Sequence, residues 1–159
     1  MKFGATTPSY DLESEEDRQF DTSNITKVLL VKVLNQFIGT ISQIPPEYSA
    51  IKIEGKRAYE YARKGIAVEI KPKILEVKEI EVLSFSLPEV KLRIVCGKGT
   101  YIRALARDIG EALNNGAYLT GLRRTRVGDF DLNQAINLTD FLKTQPVNTE
   151  LELISNDIY

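Results

Sequence analysis

Cys96-Gly97-Lys98-Gly99-Thr100-Tyr101-Ile102-Arg103 runs directly into an amphipathic stretch over residues 104–113, and this junction decides the fold. Upstream of it, Val90, Leu92 and Ile94 alternate with Lys91 and Arg93, the two-residue period of a half-buried strand with one basic face. Downstream, Ile102, Leu105, Ala106, Ile109, Ala112 and Leu113 fall on one helical face, with Thr100 as the expected N-cap. The two glycines between strand and helix allow a tight turn or a close backbone approach to a ligand. Tyr101 and Arg103 stand at the helix start, where free N–H groups and the helix dipole favour an anion. If the backbone is extended there, their side chains share one side; if it is helical, they point apart.

Working outward, residues 74–85 and 90–96 read as two strands joined through Pro88. Residues 2–7 form an expected short strand, and the acidic, aperiodic stretch 11–21 an expected mobile loop. Ser23 or Asn24 is expected to cap a core-facing helix carrying Ile25, Val28, Leu29, Val33, Leu34 and Phe37 and ending before Gly39. Adjacent prolines at 45 and 46 impose an extended path on 43–50. Residues 55–65 read as a short helical segment between glycines, rich in bases and tyrosines. Asn114, Asn115 and Gly116 end the helix after the junction. Residues 117–127 then read as a strand with three arginines, and 138–142 as a last short helix. The alternation gives an α+β fold: a mixed, largely antiparallel sheet with flanking helices.

Composition narrows the chemistry. The chain has 159 residues, 43% of them hydrophobic, enough for one domain with a real core. No apolar run approaches the roughly 20 residues of a membrane span, so a cytoplasmic setting is expected. A single cysteine and no histidine exclude an intrachain disulfide, cysteine-rich zinc sites and Ser-His-Asp catalysis. Carboxylates, Tyr, Lys and Arg remain. The net charge of −1 averages a basic middle between acidic ends: residues 52–73 carry seven Lys/Arg against three Glu, while 8–21 carry six acids and one base. That segregation suits a polyanion partner, although a solvated surface accounts for it equally well.

Three separated segments share an order and spacing: Gln43-Ile44-Pro45-Pro46-x-Tyr48-Ser49-Ala50-x-Lys52-x-x-Gly55-x-x-Ala58-Tyr59-x-Tyr61-Ala62-Arg63-x-Gly65, then Lys98-Gly99-Thr100-Tyr101-Ile102-Arg103, then Gly116-Ala117-x-Leu119-x-x-Leu122-Arg123-Arg124. Together they resemble the TruB family of tRNA pseudouridine synthases. The resemblance implies the pseudouridine synthase fold over 1–145, an RNA-gripping insertion at about 43–66, and a short acidic tail at 146–159. It also implies isomerisation of a flipped-out uridine in the TΨC arm of tRNA, position 55, with no cofactor and no metal.

By resemblance, Tyr101 lies against the target base and is a candidate proton acceptor, Arg103 pairs with the catalytic aspartate, and Leu122 packs the pocket opposite the tyrosine. Read from the residues alone, Leu122 is more readily ordinary core. Lys52, Lys56, Arg57, Tyr59, Tyr61, Arg63, Lys98, Arg123 and Arg124 form the expected RNA-binding set. The family's aspartate sits in a Gly-x-Leu-Asp-Pro-like segment that does not occur in these 159 residues. None of the aspartates present has that context, so the chain alone is expected to be inactive. A complete enzyme is expected to be a monomer with no membrane partner, and this chain, with an exposed sheet edge, to self-associate. The competing readings are a non-catalytic RNA-binding module and a purely structural domain.

Overall fold

The computed structural model describes residues 1–53 and 55–144. The expected acidic tail at 146–159 lies outside them. In chain order the elements are β1 (Lys2–Phe3), β2 (Ala5–Thr6), β3 (Arg18–Gln19), α1 (Lys27–Leu34), β4 (Gly39–Gln43), β5 (Lys52–Ile53), β6 (Lys56–Arg57), α2 (Ala58–Ala62), β7 (Lys73–Ser86), β8 (Glu89–Cys96), α3 (Ile102–Ala112), β9 (Ala117–Tyr118), β10 (Arg126–Val127), β11 (Phe130–Asp131) and α4 (Leu138–Thr144). They divide into two compact units, residues 1–122 and 123 onward.

The first unit is built on a five-stranded sheet in the order β4-β7-β8-β1-β9, with every pairing antiparallel. This is the α+β, largely antiparallel arrangement expected. The β7–β8 hairpin is its spine, because period-two alternation turns Val90, Leu92 and Ile94 toward the helices and leaves Lys91 and Arg93 outside. The outer face is not simply basic, since Arg93 is paired with Glu79 at 2.7 Å and Glu81 at 2.8 Å across the strands. Phe3, Ile25, Leu30, Leu34, Val90, Leu105, Ile109 and Ala117 form the buried core, which clamps α1 and α3 onto the sheet.

Several local expectations are corrected. Residues 2–7 do not make one strand, because Gly4 adopts φ +89° and splits them into β1 and β2. The stretch 11–21 is no mobile loop: it supplies β3, which pairs with β2, and Asp11 bridges to Leu119. It is held by polar side chains instead of an apolar period, with Glu16 accepting from Lys2 Nζ at 2.6 Å and from Tyr118 Oη at 2.7 Å. The cap of α1 is Thr26, whose hydroxyl accepts from the Leu29 amide at 3.1 Å. Ser23 is engaged by Asp21. The helix also turns Val28 outward, 81% exposed, and closes in a 3-10 turn over Asn35–Phe37. Residues 55–65 fold as half of a β5–β6 hairpin followed by the five-residue α2. The expected strand over 117–127 is broken into β9, whose two buried residues pair with β1, and β10, which pairs with β11 in the second unit.

The second unit is a β10–β11 hairpin, a 3-10 turn over Leu132–Gln134 capped by the Asp131 carboxylate, and α4. The expected last helix over 138–142 is thus present, two residues longer.

Candidate nucleic-acid interface

The strand-to-helix junction is fixed by a residue from another strand. Gln43, fully buried at the end of β4, accepts from the Tyr101 amide through Oε1 at 2.9 Å and donates through Nε2 to the Tyr101 carbonyl at 3.2 Å. A buried amide side chain satisfied on both sides in this way locks the backbone it pairs with. Tyr101 therefore serves as the N-cap of α3 in an extended conformation (φ −93°, ψ 106°). Thr100, the expected cap, instead donates its hydroxyl to the Gly97 carbonyl at 2.9 Å. The tyrosine leaves the chain before the helix begins, and Arg103 leaves it within the first turn.

Arg103 is held from three directions. Nη1 donates to Asp11 Oδ2 at 2.9 Å and to the Ser9 carbonyl at 3.4 Å, and Nη2 donates to the Tyr48 carbonyl at 2.9 Å. Both partners of the ion pair are mostly buried, with side chains 23% and 18% exposed. The other oxygen of Asp11 accepts from the Ser9 hydroxyl at 2.6 Å and from the Glu13 amide at 3.0 Å. Burial works to raise the Asp11 carboxyl, but Ser9, the Glu13 amide and the Arg103 guanidinium outweigh it and hold it below the usual carboxylate range. Among the described residues the Nε–H of Arg103 makes no hydrogen bond, so the fork keeps a donor for a further acceptor.

A pH dependence follows from that lowered carboxyl. A group titrating lower in the folded chain than in the unfolded chain, near 3.9, adds stability that is complete above the unfolded value and disappears as pH falls through the folded one. The stability difference between the native chain and Asp11→Asn is therefore expected to be full above about pH 5 and to close in acid. Urea unfolding midpoints at a series of pH values check this. A gap that stays constant into acid would contradict it.

The other expected residues are distributed unevenly. Lys52 and Lys56 are exposed on the β5–β6 hairpin. Arg57 donates to the Ala50 carbonyl at 3.1 Å, and Arg63 lies over the Tyr59 ring at 5.3 Å. Tyr61 is half-buried on α2, and Lys98 is exposed in the turn before α3. Leu122 is 63% exposed, so it is not core. Arg123 and Arg124 are exposed and belong to the second unit. Three residues of the site escaped the sequence reading: Asp11, Ser9 and Gln43. For Gln43 a signal existed, a polar residue at an inward position of β4, two after Ile41. Among the described residues no group of His, Cys, Asp or Glu is placed to hold a metal ion, and no helix is long and apolar enough to cross a membrane.

A family model described as the TruB family pseudouridylate synthase N-terminal domain matches residues 1–102. The chain belongs to the TruB family. A second model, the tRNA pseudouridylate synthase B C-terminal domain, matches residues 103–153. The chain is similar to proteins named tRNA pseudouridine synthase B: one from Bacteroides fragilis is 60% identical over 141 residues, covering 89% of this chain and 60% of that protein. Another, from Parabacteroides distasonis, is 54% identical over 155 residues, covering 96% of this chain and 66% of that one. The chain thus spans about three fifths to two thirds of the length of these TruB relatives. A chain in the crystal structure of a Cbf5-Nop10-Gar1 complex matches with a TM-score of 0.60 at 32% identity, covering 76% of this chain and 32% of that chain.

Proposed function

We propose that these residues form the Tyr101–Arg103 side of the uridine pocket in a tRNA pseudouridine synthase acting on the TΨC arm at position 55. In that reaction the N-glycosidic bond of the flipped uridine breaks, the uracil turns, and a carbon–carbon bond from C5 to the ribose replaces it, with the proton on C5 leaving and a proton taken up at the freed N1. Arg103 orients and keeps ionised the nucleophilic carboxylate, Tyr101 lies against the base and takes a proton, and Leu122 is the apolar wall opposite. The observation that carries this reading is the fixed guanidinium: Arg103 is pinned by Asp11, Ser9 and Tyr48 and still has a donor to offer.

Asp11 suits a supporting role in this scheme. Both of its oxygens are already engaged by Arg103, Ser9 and the Glu13 amide, whereas a nucleophile needs an oxygen turned toward the sugar. The nucleophile is accordingly assigned to none of the aspartates in this chain, and the chain alone does not turn over. No cofactor enters the scheme, and the setting is cytoplasmic.

The β5–β6 hairpin and α2 hold the RNA. Lys52, Lys56, Arg57 and Arg63 contact phosphates, Tyr59 and Tyr61 stack on bases, Lys98 adds a further cation, and Arg123 and Arg124 of the second unit contact RNA as well. Removing Lys56 or Arg63 is expected to reduce the log–log salt slope of RNA binding by about 0.7 to 0.9 each. Fluorescence anisotropy with a TΨC stem-loop over a salt series measures it, and an unchanged slope in both variants would remove these cations from the interface.

The deciding assay is tritium release from C5-labelled TΨC stem-loop. It compares this chain alone with a chimera in which the chain replaces the matching 141-residue segment of the Bacteroides fragilis relative. Turnover by the chimera alone supports the proposal. The exposure of Leu122 at the surface favours a second reading as a non-catalytic RNA-binding module. Stem-loop binding with no turnover in either form would establish that reading, and turnover by the chain alone would place the nucleophile within these residues.

A further inference from the structure

Tyr10 has a left-handed backbone, φ 62°. A bulky residue keeps that conformation only where its surroundings impose it. Its amide donates to the Thr7 carbonyl at 3.1 Å, and its carbonyl accepts from the Leu119 amide at 2.9 Å. On the side-chain side, the guanidinium of Arg107 lies over the Tyr10 ring at 4.9 Å. That guanidinium is itself fixed at its edges, with Nη2 donating to the Ile44 carbonyl at 2.9 Å and Nε to Asp108 Oδ1 at 2.8 Å. An arginine anchored along its edges presents a flat cationic face to an aromatic ring. Burial opposes the charge on Arg107, but Tyr10 and Asp108 more than compensate.

Arg103 and Arg107 are four residues apart on α3 and so share a face. They grip consecutive residues, Arg107 the Tyr10 ring and Arg103 the Asp11 carboxylate. Each also reaches the proline-rich turn, Arg107 at the Ile44 carbonyl and Arg103 at the Tyr48 carbonyl. A rigid clamp on Tyr10 therefore sets where the next residue points.

We propose that Arg107 is a positioning residue: by stacking on Tyr10 it holds the left-handed turn that delivers the Asp11 carboxylate to Arg103. The link to catalysis rests on the proposed role of Arg103, while the link from Arg107 to Asp11 stands apart from it.

Carbon-13 NMR titration of the aspartate carboxyls in the 159-residue chain, with Asp11 assigned through Asp11→Asn, tests the second link directly. Tyr10→Gly, which tolerates the backbone but lacks the ring, and Arg107→Lys, which keeps the charge but not the flat fork, are both expected to move the Asp11 titration upward. Tyr10→Phe keeps the stack and should titrate as the native chain does. An Asp11 titration unmoved by both Tyr10→Gly and Arg107→Lys, or moved equally by Tyr10→Phe, overturns the proposal. If one of the first two variants fails to fold, the other decides against Tyr10→Phe. In the chimera, Arg107→Lys should lower kcat about tenfold with little change in KM, short of the hundredfold that a 1 Å misplacement can cost. A chimera inactive in every form, with the titration still shifted, would sink the proposed function and leave the positioning link standing.

Discussion

Arg103→Lys is expected to lower pseudouridine formation by the chimera at least about a hundredfold while stem-loop affinity changes little. The native guanidinium serves three acceptors on two segments, Asp11 and Ser9 on one and Tyr48 on the other. A lysine ammonium carries the same charge on a single point and cannot span them, so the substitution removes geometry and leaves electrostatics largely intact. If Arg103 acts by orienting a carboxylate, kcat should fall and KM should hold, the signature of an interaction that matters in the transition state. Stability should also fall, by roughly 1–3 kcal/mol, because a single ammonium cannot serve Asp11 together with the part-buried Ser9 and Tyr48 carbonyls, which lose their donors; the residual exposure of the Asp11 pair keeps the loss below that of a fully buried one. The readouts are single-turnover tritium release and urea unfolding of the same protein. Activity within a few-fold of the native level would show that charge alone suffices there and would remove the orienting role.

Parts of this arrangement were legible in the sequence because they are periodic. The β7–β8 hairpin follows from the strand-like run over 74–85 and the alternation of Val90, Leu92 and Ile94, and α3 from the spacing of Leu105, Ala106 and Ile109, all buried on one face. Tyr101 and Arg103 were found because they stand where a strand, a glycine turn and a helix meet. What escaped is held by polar side chains, which leave no period. Residues 11–21 look featureless in sequence, yet Asp11, Glu16 and Asp17 each tie to a distant partner. Asp11 was set aside because it lacks the context of a nucleophile, and its actual partner is 92 positions away. The stretch 117–127 misled in the opposite sense: its residues suit one strand, but the sheet pairing of Ala117 and Tyr118 breaks off and pairing resumes only at Arg126 and Val127, with the arginines in another unit. Tertiary pairing decided these cases over local preference.

Gly116→Ala should be strongly destabilising, as should Gly110→Ala, whose Cβ would stand 2.6 Å from the Ala117 amide nitrogen. A Cβ at Gly116 would stand 2.6 Å from Phe20 Cε2 and 2.8 Å from both the carbonyl carbon and the oxygen of Ala5. The phenyl edge of Phe20 can swing aside, but the Ala5 backbone cannot, since β2 is paired to β3 and the neighbouring Gly4 amide donates to the Gly116 carbonyl at 3.0 Å. Overpacking against a fixed backbone costs about 1–3 kcal/mol, and the upper end applies because strand pairing must yield. At roughly 2–4 °C per kcal/mol for a chain of this size, the melting temperature should drop by several degrees. Gly121→Ala is the control: its Cβ would meet nothing within 4 Å, so it should be neutral or slightly stabilising. The damage should reach the site as well, because the segment that Gly116→Ala displaces continues through Thr6 to Ser9 and Asp11, which hold Arg103. Differential scanning calorimetry of Gly116→Ala and Gly121→Ala, with the Asp11 titration measured on each, distinguishes a packed junction from a tolerant one: equal melting temperatures would mean that β2 is free to move, and the rigid support assigned to Asp11 would fail with it.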